Sequence, residues 1–146
     1  MRPNDTNINT AISSEESEKT LFFLSENNTQ NTLSENQLLF LKKHHNLRND
    51  EIIKKKIQTR RLDNILEENN FHNIDFMNLD VEGHELEVLK TINFKKTKLK
   101  YVCIEMINHN DLSIKNSDQI LELLETNKFE QIKKFDFNYI FKNKEI

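Results

Sequence analysis

The chain has 146 residues, 36% of them apolar and 31% charged, with a net charge of -3 and a mean hydropathy of -0.75. That length supports one domain with a modest core, and nothing in the near-balanced charge suggests a nucleic acid or an anionic membrane as a partner. No apolar run approaches the ~18 residues of a membrane span, residues 1–20 lack the apolar core of a signal peptide, and the single Cys103 allows no internal disulfide, which fits a reducing, cytoplasmic setting.

Residues 1–20 are rich in Asn, Thr, Ser and Glu and read as disordered or frayed, with the folded domain at 21–146. Leu21-Phe22-Phe23-Leu24 reads as one short buried strand, and Ser25 to Thr32 as a polar loop. Ser34 followed by Gln37 has the form of a capping box, and Leu38 and Leu41 share a helical face with His45, so a helix is predicted over about Glu35 to His45. His44-His45 reads as a solvated pair rather than a metal site, because adjacent helical residues point apart. Lys54-Lys55-Lys56 reads as solvated surface, and Ile57 opens an extended piece.

Leu62, Ile65 and Leu66 have the spacing of a short helix, with Thr59 or Asp63 as cap and Asn69-Asn70 as its end. Ile74 to Leu79 is an apolar run ending in Asp80, Glu82 and Gly83, after which Leu86, Val88, Leu89 and Ile92 have helical spacing. That pattern is strand, tight turn, helix, the helix covering about His84 to Thr91. Gly83 is the only glycine in the chain, so the turn needs it for positive φ or for close backbone approach. Tyr101 to Met106 is a second strand, apolar enough to be buried on both faces, and it carries Cys103 as a buried, inert thiol. Asn108 to Asn116 reads as a loop. Asn116 or Ser117 then caps a helix with Ile120, Leu121 and Leu124, and Asn127 is placed as its left-handed end. Phe129 to Phe141 supplies two strands, an antiparallel hairpin at the sheet edge. Strands alternating with helices predict an α/β fold around a parallel sheet.

Asp80, Glu82, His84 and Glu85 fall at the carboxyl end of a buried strand, where open α/β sheets bind ligands, and Glu105 stands at the same end of the next strand. Such carboxylates serve as a general base, bind a cation, position hydroxyls, or simply satisfy the turn and the helix N-terminus. A zinc-protease helix is excluded because Val88 stands where a second histidine is needed. A dinucleotide or phosphate loop is excluded by the single glycine, and no nucleophile elbow is present.

Leu62 to Leu66, the stretch from Ile74 through Asp80-Val81-Glu82-Gly83-His84-Glu85 to Lys90, and Tyr101 to Met106 together resemble the C-terminal half of FkbM-type methyltransferases. The resemblance is clear from about Thr59 to Lys142 and weaker from Leu21 to Gln58. Asn78 stands where the family usually has lysine, and Thr91 where it usually has glycine. The resemblance implies part of a class I methyltransferase (Rossmann-like) sheet. It also implies S-adenosylmethionine as cofactor and a hydroxyl of a sugar, glycolipid or natural product as acceptor. Carried over by position, Asp80 is a base or hydroxyl-positioning group. Glu82 and His84 line the same catalytic pocket, and Glu105 and Glu85 are on its substrate side.

Such enzymes hold the cofactor on a first strand with a glycine-rich turn and on an acid ending the second strand, and neither is found here. Three explanations stand open: a fragment of a longer reading frame, a split half completed by a second chain, or a non-catalytic remnant that keeps a protein contact. An acidic metal-binding module on Asp80, Glu82 and Glu105 is the remaining alternative. With the first strand missing, the Ile74–Leu79 strand is expected to present an open edge, favouring self-association or a partner that supplies the missing strands.

Overall fold

The computed structural model describes residues 5–24, 31–45, 47–107 and 111–146, without the side chains of 45, 111 and 112. Its larger sheet is built on β5 (Lys98–Glu105), whose Val102, Cys103 and Ile104 are all buried. A strand with consecutive buried residues is covered on both sides by pairing or packing. β5 pairs parallel with β4 (Asn73–Leu79) and antiparallel with β7 (Asn138–Asn143). β6 (Phe129–Phe135) closes the far edge, so the strand order is β4-β5-β7-β6. The predicted parallel pair and antiparallel closing hairpin are both present. Asp136 turns the hairpin at φ 51°, a conformation that aspartate tolerates better than most residues.

Register fixes the faces of this sheet. Val102 lies between Met77 and Phe141, and Ile104 between Leu79 and Tyr139. Alternation therefore puts all six on one face. There they pack with Leu86, Val88 and Leu89 of α3 (Glu85–Leu89), and with Ile120 and Leu124 of α4 (Asp111–Thr126). Truncating a buried leucine of this cluster, such as Leu89 or Leu124, costs about 2–5 kcal/mol. The opposite face carries Phe76, paired with Tyr101, and Cys103, paired with Ile140. Phe76 is 56% exposed.

A second sheet, not foreseen from sequence, has the order β1-β3-β2. It joins β1 (Ala11–Ile12), β2 (Glu18–Phe23) and β3 (Ile53–Arg60). Residues 11–12 and 18–20, expected to be frayed, are thus paired strand, and Ser13 is fully buried. Lys54, Lys55 and Lys56 are exposed as predicted, but they sit in the middle of β3. Lys54 and Lys55 place their ammonium groups 5.9 and 4.1 Å from the ring centres of Phe22 and Phe23 on β2. Phe22, Leu24, Leu38 and Leu41 form a small cluster under α1 (Glu35–His45).

Several local expectations are corrected. Helix α2 (Leu62–Glu68) starts after Arg61, and neither Thr59 nor Asp63 caps it. Thr91 does so from a distance: its Oγ1 accepts the Leu62 N–H at 3.2 Å and donates to the Val88 carbonyl at 2.6 Å. Helix α4 begins at Asp111, inside the predicted loop, so neither Asn116 nor Ser117 is its start. The left-handed residue after it is Lys128, at φ 69°, not Asn127. Helix α3 is shorter than predicted and opens at Glu85. His44 is exposed and stacks against Phe40, with ring centres 4.2 Å apart. The side chain of His45 and the loop residues 25–30 and 108–110 lie outside the described residues.

Candidate functional site

The site grows from the way β4 ends. Leu79 is buried and anchors the strand, while Asp80 is exposed. Glu82 at φ 54° and Gly83 at φ 86° then turn the chain into α3. Two successive left-handed residues make a sharp reversal, and at Glu82 the conformation is strained, by about 1–2 kcal/mol for a residue with a Cβ. The neighbourhood holds it there. Thr32 Oγ1 donates to the Glu82 carbonyl at 2.7 Å, and Gln37 Nε2 donates to its carboxylate at 3.3 Å.

Gly83 meets both reasons for a glycine. Its φ is positive, and an added Cβ would lie 3.1 Å from Cβ of Gln37. The amino end of α1 therefore packs directly on the turn. Ser34 Oγ accepts the Gln37 N–H at 3.2 Å, which is the first half of the predicted capping box. The Gln37 side chain is turned to Glu82 instead of back to Ser34.

Glu85 is buried, 6% exposed, and its Oε1 accepts the N–H groups of Val81 at 3.0 Å and Gly83 at 3.2 Å. Burial pushes its carboxyl above the usual range, and those amide bonds oppose the shift. Glu85 thus closes the turn. His84 precedes α3, and its Nε2 lies 3.0 Å from Ser13 Oγ, just beyond β1. Burial depresses its pKa, so the ring is neutral near pH 7. Glu105 stands beside Asp80, because Ile104 pairs with Leu79. Burial first, then the charges of Asp80 and Glu82, raise the Glu105 pKa. Glu82 is raised by burial, then by Asp80 and Glu85.

Two cavities divide the predicted residues. Asp80, Glu82 and His84 line one of about 450 Å³, together with Ile12, Met77 and Asn78. Glu85 and Glu105 line a separate cleft of about 40 Å³ beneath Gly83, Gln37 and the amino-terminal part of α4. The five residues are therefore close along the backbone but open into two spaces. Asp80 and Glu82 reach the same cavity through the turn, not through continued strand alternation, since the strand stops at Leu79. Ser13, Thr32 and Gln37 complete the site and carry no sequence motif of their own beyond the Ser34–Gln37 spacing. Cys103 is buried, its thiol pKa raised by burial and then by Asp80. Among the described residues, no group of three or more His, Cys, Asp or Glu is placed to hold a metal ion. No helix among them is long and apolar enough to cross a membrane.

No significant match is found among curated proteins or among solved structures. A family model described as the methyltransferase FkbM domain matches residues 2–139, and so takes in β1 to β6, the start of β7 and the Asp80–Glu85 turn. The protein is a member of the FkbM methyltransferase domain family.

Proposed function

We propose that the chain acts in methylation of a hydroxyl on a sugar, glycolipid or natural product, with S-adenosylmethionine as methyl donor. In this reading Asp80 orients the acceptor hydroxyl and takes up its proton. The observation that carries it is the contrast between Asp80 and its neighbours. Glu82, His84 and Glu85 are each bonded to the protein itself. Asp80 is exposed at the strand end on the rim of the 450 Å³ cavity, and no hydrogen bond or ion pair among the described residues engages it. A free carboxylate at the carboxyl end of a parallel strand is available to a ligand. The parallel β4–β5 pair followed by the antiparallel β7 and β6 supports a Rossmann-like architecture for the larger sheet.

The described residues do not fit the cofactor on their own. A nucleoside cradle needs backbone N–H groups opened by glycine and an acid on the ribose. The single glycine, Gly83, is covered by Gln37 and Ser34. Cofactor contacts are therefore assigned to a further stretch of polypeptide or a second chain, and the role of this chain is confined to the acceptor side.

The test is transfer of labelled methyl groups to a panel of hydroxyl acceptors by the longest reading frame or the reconstituted pair. Asp80→Asn keeps shape and removes charge. It should lower turnover by about 10²–10⁴ while changing stability by less than about 1 kcal/mol. Full activity in that variant would refute the assignment.

A further inference from the structure

The net charge of -3 conceals a segregation. Residues 42–61 carry eight lysines and arginines against two acids, which leaves the remainder of the chain acidic. Three of these cations, Lys54, Lys55 and Lys56, stand exposed at the start of β3. β2 and β3 end together there: Phe23 closes β2, Ile53 opens β3, and the two are paired. Residues paired across strands share a face, so Phe23, Ile53, Leu21 and Lys55 lie on one face of the smaller sheet. That face has no apolar cover. Phe22, on the other face, packs under α1 with Leu38 and Leu41, whereas Phe23, Ile53 and Leu21 belong to neither apolar core. Ile53 is 53% exposed.

The charges behind this strand end are not neutralised. Lys54 and Lys55, on opposite faces, hold their ammonium groups over the rings of Phe22 and Phe23 and form no ion pair among the described residues. Asp50 and Glu51, the acids just before β3, are both paired with Arg48, and Lys56 is paired with Glu18. The strand end thus presents an aliphatic side chain and a ring, with an ammonium group on each face of the sheet. Lysines of this kind keep their stems on apolar surface and their charges at the level of polar headgroups. We propose that this end of the β2–β3 pair docks end-on to an anionic lipid surface, with Ile53 and Phe23 entering the headgroup boundary and Lys54 and Lys55 meeting lipid phosphates. Ile53 decides between anionic partners. A nucleic acid backbone calls for cations alone, whereas interfacial binding adds buried apolar area to the attraction of charge.

The proposal is independent of methyl transfer, and its test uses vesicles that contain no glycolipid. The whole chain should sediment with vesicles of phosphatidylcholine and phosphatidylglycerol in equal parts, but not with phosphatidylcholine alone, and added salt should release it. Lys54→Glu combined with Lys55→Glu should weaken the partition at least about tenfold with an unchanged far-UV spectrum. The chain has no tryptophan, so Ile53→Trp supplies a reporter at the strand end. Its emission should shift to the blue on the mixed vesicles. Phe137→Trp, at a position 55% exposed in the turn between β6 and β7, should show no such shift. Absence of sedimentation, equal binding to phosphatidylcholine alone, undiminished binding by the double variant, or a shift at Phe137→Trp without one at Ile53→Trp would each overturn the proposal. So would tighter binding to a single-stranded oligonucleotide than to the vesicles, lost in the same double variant, since the lysines would then serve a nucleic acid.

Discussion

At the scale of single residues, the turn after β4 separates groups that build it from the one that is free. Gly83 builds it. Alanine there must adopt φ 86° and place a Cβ 3.1 Å from Gln37, and the left-handed backbone alone costs about 1–3 kcal/mol. Gly83→Ala should therefore lower the urea midpoint without removing any charged group. His84 supplies a pH dependence whose sign can be worked out. Burial depresses its folded-state pKa, so the folded chain binds fewer protons than the unfolded one. Its contribution is present in full above the ordinary value of about 6.5 and is lost as the pH falls through that value toward the folded one. Glu82, Glu85 and Glu105, all raised by burial, act in the opposite sense, and folding gains as they are protonated at lower pH. The difference between wild type and His84→Gln isolates the histidine. Stability of the wild type should fall more steeply than that of the variant between about pH 7.5 and 5.5, and parallel curves would show that His84 is not buried neutral.

At the scale of elements, what sequence disclosed followed how strongly apolar residues marked each piece. β5 announced itself by a run buried on both sides, and β4, its turn and α3 by the change of period at Gly83. The hairpin appeared through its aromatic residues. The β1-β3-β2 sheet stayed hidden for a physical reason. β3 is an exposed strand in which Lys54 and Lys55 hold their ammonium groups over Phe22 and Phe23, so a strand with little apolar content reads as solvated surface. The amino-terminal part of α4 stayed hidden for a similar reason, since Ser113, Asn116 and Ser117 belong to it and polar residues signal loops. The cap of α2 is not legible in sequence because it comes from Thr91, remote along the chain. That arrangement gives a direct test. Thr91 is 1% exposed, and Thr91→Val keeps its shape while leaving the Leu62 N–H without its acceptor. The loss should be about 1–3 kcal/mol, seen in thermal unfolding and as faster exchange at the first turn of α2. An unchanged melting curve would mean that water replaces the hydroxyl.

At the scale of the molecule, the amino-terminal third closes onto the turn after β4 from several directions. Ser13 meets His84, and Thr32 and Gln37 meet Glu82. The smaller cluster of Phe22, Leu24, Leu38 and Leu41 is thereby tied to the larger core beneath the sheet. α1 occupies the side of Gly83 that would otherwise present open backbone, and the cavity beside β4 offers an apolar wall and two acids but no second glycine turn. In the proposed reading this pocket positions the acceptor, and the adenosine is held elsewhere. Isothermal titration of the isolated chain with S-adenosylmethionine should give no saturation in the micromolar range, with a Kd weaker than about 10 μM. The same titration on the longest reading frame, or on the chain mixed with a partner that supplies the cofactor strands, should saturate. Tight binding by the isolated chain would mean that the 450 Å³ cavity itself holds the methyl donor, and it would move Asp80 from the acceptor side of the reaction to the cofactor side.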